Sequence, residues 1–339
     1  MRKSDQSMLG IGIIGAGSYG ESHAQALAEV TNAKLVAASR TNVSALDAFV
    51  QKFGGRGYAD YRDLLADDSV AAVVIATPHH LHTEIAIAAA HAGKHILLEK
   101  PMAPSLAECD AIIAAACQAG VKLMVGHVNR FARPYLVAKE LIESGEMGQV
   151  VQGTATMQKF WFEPNRREWH LDREHGGGVW MTVGIHPLDR LTWLIDSAVT
   201  TVSAQFGTYF HSMAADDTGM VFLRYENGAA GNVISTGYSV GAPKHTTELT
   251  CTIGTLIVDY ASGVQIGRND QWRVIPESGP SGSWMQEALA NEWRAFVKAI
   301  QSDSEPPVSG AVAREIMKVV FAAEASSAQG REIRIGEFS

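Results

Sequence analysis

The sequence predicts an α/β protein of two domains: a parallel sheet wound on both faces by helices, then a mostly antiparallel sheet covered by helices on one face. Three observations carry this. Over the first 130 residues short apolar runs alternate with amphipathic helical stretches, and such alternation closes as a parallel, doubly wound sheet. Beyond about residue 148 strand-like segments succeed one another with few helices between them, the pattern of an antiparallel sheet. A chain of 339 residues, at roughly 150 per domain, fills two cores.

In the first part Leu9–Gly15, Lys34–Ser39, Ala71–Thr77, His95–Glu99 and Lys122–His127 read as strands. Several are apolar at consecutive positions, as strands buried on both faces are. Tyr19–Val30, Val43–Phe53, His82–Ala92 and Ser105–Ala119 read as helices between them, with Gly93 and Gly120 as C-terminal stops. A helix over Pro134–Ser144 leads into the second part. There Val150–Phe160, Val199–Phe210, Gly219–Arg224, Ala229–Thr236, Thr247–Ile253 and Gly254–Tyr260 read as strands, with a hairpin dipeptide at Asn227-Gly228. A helix over Pro187–Leu194 precedes most of these strands. Trp284–Ile300 and Ala311–Ser327 follow as helices, with Ser302–Ser309 a linker between them. The division expected is a first domain over 1–130 and a second domain over 131–339.

Composition narrows the class. Apolar residues make up 46% and charged residues 19%, with 28 basic against 36 acidic side chains and a net charge of −8. This excludes a mainly disordered chain and a broadly cationic nucleic-acid binder. No apolar run reaches the roughly 18 residues that cross a bilayer. The polar start Met1–Ser7 and the short apolar stretch Met8–Ile14 lack the form of a signal peptide. Cys109, Cys117 and Cys251 show neither metal-type nor CxxC spacing. A cytoplasmic protein with no membrane or nucleic-acid partner is expected.

Gly15-Ala16-Gly17-Ser18-Tyr19-Gly20 ends the first strand and opens a helix. In that setting GxGxxG is a dinucleotide fingerprint. The first glycine makes the tight turn, the second lets backbone approach a pyrophosphate, and the third lets helix and strand pack closely. The helix N-terminus offers N–H groups to the anion. An NAD site usually carries an acid at the end of the next strand for the ribose 2′-hydroxyl. Here that place reads Ala38-Ser39-Arg40-Thr41, with no carboxylate between Glu29 and Asp47. Ser39 and Arg40 suit a 2′-phosphate, so NADP(H) is expected ahead of NAD(H); stacking of Arg40 on the adenine is the other reading.

Ligands of open α/β sheets bind outside the carboxyl ends of the strands. Two further polar strings lie at such ends: Thr77-Pro78-His79-His80-Leu81-His82, and Glu99-Lys100-Pro101. Later come Gly176-Gly177-Gly178, then Gly184-Ile185-His186 with Asp189 one helical turn on. In this order the strings resemble the glucose–fructose oxidoreductase / inositol dehydrogenase / rhizopine-catabolism (Gfo/Idh/MocA) family over nearly the whole chain. The resemblance implies an N-terminal Rossmann domain and a C-terminal α/β domain with a large open sheet used to oligomerise.

The same resemblance implies residue roles. Lys100 matches the family's catalytic lysine, where the strand-end position alone is equally that of a solvated lysine. His186 matches its proton donor and acceptor, a core histidine capping the next helix being the other reading. Where the family often has Asp four residues before that histidine, this chain has Thr182, which can hydrogen-bond a substrate hydroxyl. The Thr77-Pro78-His79 turn and His82 face the cofactor, and Asn129 and Arg130 border the site. No metal site is expected at His79, His80 and His82, because no carboxylate or thiol set accompanies them.

The segment Trp161–Asp172, dense in aromatic, Arg and His residues, suits a sugar-binding loop with Trp169 and His170 as contacts, or equally an oligomer interface. Asp189 is placed to bond substrate or orient its neighbours. The activity expected is an NAD(P)-dependent exchange of a secondary alcohol and a ketone on a sugar, cyclitol or related polyol, by a homodimer or homotetramer. Two other readings stand: a glycoside hydrolase that oxidises, eliminates and reduces on a tightly held cofactor, and a non-catalytic NADP(H) sensor.

Overall fold

The computed structural model describes residues 8–162 and 176–338. The first sheet is built from β1 (Leu9–Ile14), α1 (Ser18–Leu27), β2 (Ala33–Ser39), α2 (Val43–Phe53), β3 (Arg56–Tyr58), α3 (Tyr61–Leu65), β4 (Ala72–Ile75), α4 (His82–His91), β5 (His95–Glu99), α5 (Leu106–Ala119) and β6 (Leu123–Gly126). Its six strands run parallel in the order β3-β2-β1-β4-β5-β6. The order reverses between β1 and β4, the crevice where such folds bind dinucleotides. Ile11, Ile13, Val73, Val74, Leu97 and Leu98 are each fully buried, which is why the strands read as unbroken apolar runs. Local chemistry sets the helix starts. Asn42 Oδ1 accepts from the Ala45 N–H, and Ser105 and Glu108 bond reciprocally at the head of α5.

The second sheet follows α6 (Arg133–Glu143). Its elements are β7 (Val150–Phe160), α7 (Ile185–Ile195), β8 (Val199–Gly207), β9 (Thr218–Tyr225), β10 (Ala230–Tyr238), β11 (Lys244–Cys251), β12 (Gly254–Asp259), β13 (Gly263–Arg268) and β14 (Gln271–Val274). Then come α8 (Trp284–Gln301), α9 (Gly310–Gln329) and β15 (Ile333–Arg334). Nine strands lie in the order β14-β13-β12-β11-β7-β10-β9-β8-β15. Only β7 and β10 pair in parallel. In β9 Gly219, Val221, Leu223 and Tyr225 face inward, while Met220, Phe222 and Arg224 face out, the alternation of a sheet covered on one side. Fully buried Arg190 ties α7 to this sheet, donating to Thr247 Oγ1, Tyr260 OH and the carbonyls of Thr156 and Thr246.

Two compact units result. One comprises residues up to Val128 together with Met285–Arg314; the other comprises Asn129–Trp284 and Glu315 onward. Residues 285–314, placed with the second domain by sequence order, therefore pack with the first. The reason is edge and core coverage. The Val125 N–H donates to the Val308 carbonyl, so part of the expected Ser302–Ser309 linker lies along β6. Trp293 of α8 is fully buried against His23.

Five short elements were not expected: β3, α3, β13, β14 and β15. β3 is a three-residue edge strand, mostly exposed. The β13–β14 hairpin turns through Asn269 and Asp270, both at positive φ. The predicted strand Val199–Phe210 stops at Gly207, because the N–H groups of Tyr209, Phe210 and His211 turn onto the Asp217 carboxylate.

Candidate active site

The glycine loop meets its steric description. Gly15 has φ +96°, and a Cβ there would stand 2.5 Å from the Ala76 carbonyl oxygen. A Cβ on Gly20 would stand 2.4 Å from the Gly15 carbonyl oxygen, whereas one on Gly17 would meet no chain atom within 4 Å. The fold thus requires the first and third glycines. The second is free of the chain, as a residue selected for approach to a ligand would be. No side chain caps α1 at Gly17, so the first-turn N–H groups of Ser18, Tyr19 and Gly20 point to a site suited to a phosphate.

The neighbouring strand ends close around this loop. The Ser39 carbonyl accepts from the N–H groups of Gly15 and Ala16, each at 3.0 Å, and the Ser39 residue is buried. The Arg40 guanidinium reaches across to the Ala16 carbonyl at 3.0 Å. The Thr77 hydroxyl is buried without a hydrogen-bond partner among the described residues, beside Pro78. His82 is fully buried, its ring nitrogens 2.9 Å and 3.0 Å from the Pro101 and Thr77 carbonyls. Burial lowers its pKa against the pull of those carbonyls, and the ring ties the turn after β4 to the segment after Lys100. His79 is buried beside it, with ring centroids 5.8 Å apart. Lys100 itself follows the last residue of β5 and is half-buried. Glu99 is buried and bonded to His23 at 3.0 Å.

In the other unit a π-helical turn, Trp180–Gly184, runs straight into α7 and places His186 in its first turn. Such wide turns are rare and frequent at functional sites. Its conformation is held from three sides. The Trp180 N–H donates to Asp216 Oδ2 at 2.7 Å, Trp180 Nε1 donates to the Val320 carbonyl, and the Thr182 hydroxyl donates to the Gly176 carbonyl at 3.2 Å. Gly177 and Gly178, at φ +68° and +71°, make the turn before it.

Arg130 and Asp189 form a buried two-armed ion pair, Arg130 Nε lying 3.0 Å and 2.9 Å from the two carboxylate oxygens. Arg130 was expected to border the site, and Asp189 to bond substrate or orient its neighbours; the structure joins the two to one another. Asn129 is 2% exposed, with an Nδ2 group that has no acceptor among the described residues. Trp169 and His170 lie outside the described residues. Sequence reasoning did not find His23, Glu292 and Trp293, which gather around Glu99, or Asp216 and Asp217, which anchor backbone N–H groups. The Asp216-Asp217 pair heading a strand was the signal available for the last two.

Residues 9–127 match the GFO_IDH_MocA family model, described as an oxidoreductase family with an NAD-binding Rossmann fold, and residues 135–257 match the GFO/IDH/MocA C-terminal domain. The chain is 27% identical to myo-inositol 2-dehydrogenase of Thermotoga maritima over 96% of its own length and 98% of that protein. It is 30% identical to glucose-6-phosphate 3-dehydrogenase of Bacillus subtilis, over 68% of each. The solved structure of a levoglucosan dehydrogenase with NADH and levoglucosan matches with TM-score 0.89 at 26% identity, covering 96% of this chain and 99% of that one. No helix among the described residues is long and apolar enough to cross a membrane. The chain belongs to the Gfo/Idh/MocA oxidoreductases, a family with an NAD-binding Rossmann fold.

Proposed function

We propose that this protein interconverts a secondary alcohol and a ketone on a sugar, cyclitol or related polyol, with Lys100 and His186 managing the proton. The observation that carries the reading is the make-up of one sheet edge. An uncapped helix N-terminus behind a chain-free Gly17, the orphaned Thr77 hydroxyl and Lys100 all stand at carboxyl ends of the same parallel strands.

Gly15, Gly17, Ser18, Tyr19 and Gly20 would hold the pyrophosphate, with Thr77, Pro78, His79 and His82 forming the adjoining wall. When bound, the nicotinamide supplies the hydride acceptor or donor. The Lys100 ammonium bonds the substrate oxygen and stabilises its alkoxide character. His186 takes the hydroxyl proton during oxidation and returns it during reduction, a task suited to a group titrating near neutrality. Asn129 Nδ2, Trp169 and His170 contact substrate hydroxyls and ring faces. Thr182, whose hydroxyl donates to the Gly176 carbonyl, accepts a hydrogen bond from a substrate hydroxyl. Arg130 and Asp189, paired with each other, position α7 and the segment after β6.

NADP(H) is proposed ahead of NAD(H). No carboxylate stands at the end of β2 to repel a 2′-phosphate, and Arg40 lies across the glycine loop beside it. A homodimer or homotetramer through the outer face of the nine-stranded sheet is also proposed, supported by the exposed Met220, Phe222 and Trp272 on that sheet.

A screen of sugars, sugar acids and inositols with both oxidised cofactors tests this. At least one polyol should give reduced nicotinamide, with the larger kcat/KM for NADP+. A clear NAD+ preference would remove the cofactor assignment. Aglycone release with no added cofactor and no net reduction would replace the dehydrogenase by the glycoside hydrolase.

A further inference from the structure

Behind the glycine loop lies a buried group of ionisable side chains that hydride transfer does not use. His23 on α1, Glu99 at the end of β5 and Glu292 on α8 are 0%, 5% and 0% exposed. One polar atom of each lies within 4.8 Å of those of the other two. Trp293 Nε1–H donates to His23 Nδ1 at 3.1 Å, so that nitrogen carries a lone pair and the ring proton sits on Nε2. From there it is donated to Glu99 Oε1 at 3.0 Å. His23 is therefore neutral. Glu99 has a donor, but neither oxygen of Glu292 has a hydrogen-bond partner among the described residues.

Were both carboxyls ionised, two negative charges would be buried side by side. A shared proton is the low-cost arrangement, because like charges at one site force one carboxyl to stay neutral. Burial and the Glu99 charge accordingly push Glu292 well above the usual carboxylate range, and burial with the Glu99 and Glu292 charges raises Tyr19, a further titratable group facing the cluster. A divalent cation fits the geometry poorly. It would need the Nε2 lone pair, which moves the ring proton to Nδ1, directly against the Trp293 N–H.

We propose that Glu292 stands as a neutral acid donating its proton to Glu99, and that this proton positions Lys100 relative to the glycine loop. By keeping Glu99 single-charged and bonded to His23, it holds the end of β5 against the helix that the loop opens. Gly126 of β6 completes the seat, since a Cβ there would stand 2.7 Å from Glu99 Oε1. Loss of the proton sets two carboxylates against each other and draws Glu99 off His23. Glu292 is thus a positioning residue. Its effect on cofactor affinity rests on the proposed function of the loop and Lys100, whereas its protonation does not.

E292Q, which keeps the shape and a fixed N–H donor, tests both parts. The unfolded chain ionises Glu292 near pH ~4.3 while the folded chain keeps it neutral. Wild type therefore loses stability relative to E292Q as pH rises above that value, until the folded group itself titrates. The Tm of E292Q should match wild type at acid pH and exceed it by a growing margin toward alkaline pH. An infrared band of a protonated carboxylic acid at neutral pH should vanish in the variant. Cofactor affinity, titrated by fluorescence without substrate, should fall by up to about tenfold per pH unit at alkaline pH in wild type and hold in E292Q. A pH-independent gap in Tm with no band lost, or a divalent metal purified with wild type and absent from E292Q, overturns the proton. An equal alkaline fall in affinity in both proteins overturns the positioning role. Absence of all nicotinamide binding instead strikes the proposed function, leaving the Tm and infrared results to judge the proton.

Discussion

Asp189 is 1% exposed with both oxygens on Arg130, which is 7% exposed, so removing either partner strands a buried charge. Asp189→Ala is expected to cost about 3–5 kcal/mol, and the paired change Arg130→Met with Asp189→Leu considerably less than the two single changes summed. Denaturant unfolding of the three variants reads this directly; additive losses would mean the two groups do not act as a pair. The case also shows what a sequence yields at this scale. Arg130 and Asp189 stand out individually as charged residues beside recognisable motifs. That each spends its charge on the other follows only from a fold that joins positions 59 apart. The same holds for His23 and Glu292, ordinary residues of amphipathic helices until α8 is placed in the first unit.

Among the elements, the turn that delivers His186 is the most constrained. A Cβ on Gly184 would stand 2.2 Å from the Trp180 ring, and that ring is anchored by its bond to the Val320 carbonyl. Gly184→Ala should displace Trp180 or undo the wide turn, lowering kcat while leaving cofactor affinity unchanged, since the glycine loop lies in the other unit. Steady-state kinetics with a cofactor titration checks it, and an unaltered kcat would detach this turn from catalysis. The wide turn was not legible from the string Trp180–Gly184, where helix and π-helix share one apolar pattern. By contrast α2, β5 and β7 have the bounds that caps and apolar runs imply. The β13–β14 hairpin was within reach: Val264-Gln265-Ile266 and Gln271–Val274 flank a two-residue turn, but Asn-Asp is a weaker signal than Asn-Gly.

For the whole molecule, strand periodicity was enough to separate a parallel from a mostly antiparallel sheet, because burial on two faces or one writes different patterns into the residues. It could not show the chain returning to its first unit through Met285–Arg314, since an amphipathic helix does not encode which sheet it covers. The central claim is that the strand-end lysine of the first unit drives alcohol–ketone exchange in a fold whose relatives act on sugars and cyclitols. The most direct measurement compares wild type with Lys100→Ala on one polyol that wild type oxidises, following reduced nicotinamide and, separately, cofactor binding. Turnover should fall by about 10²–10⁴-fold with cofactor binding largely kept; turnover retained in Lys100→Ala would contradict the account.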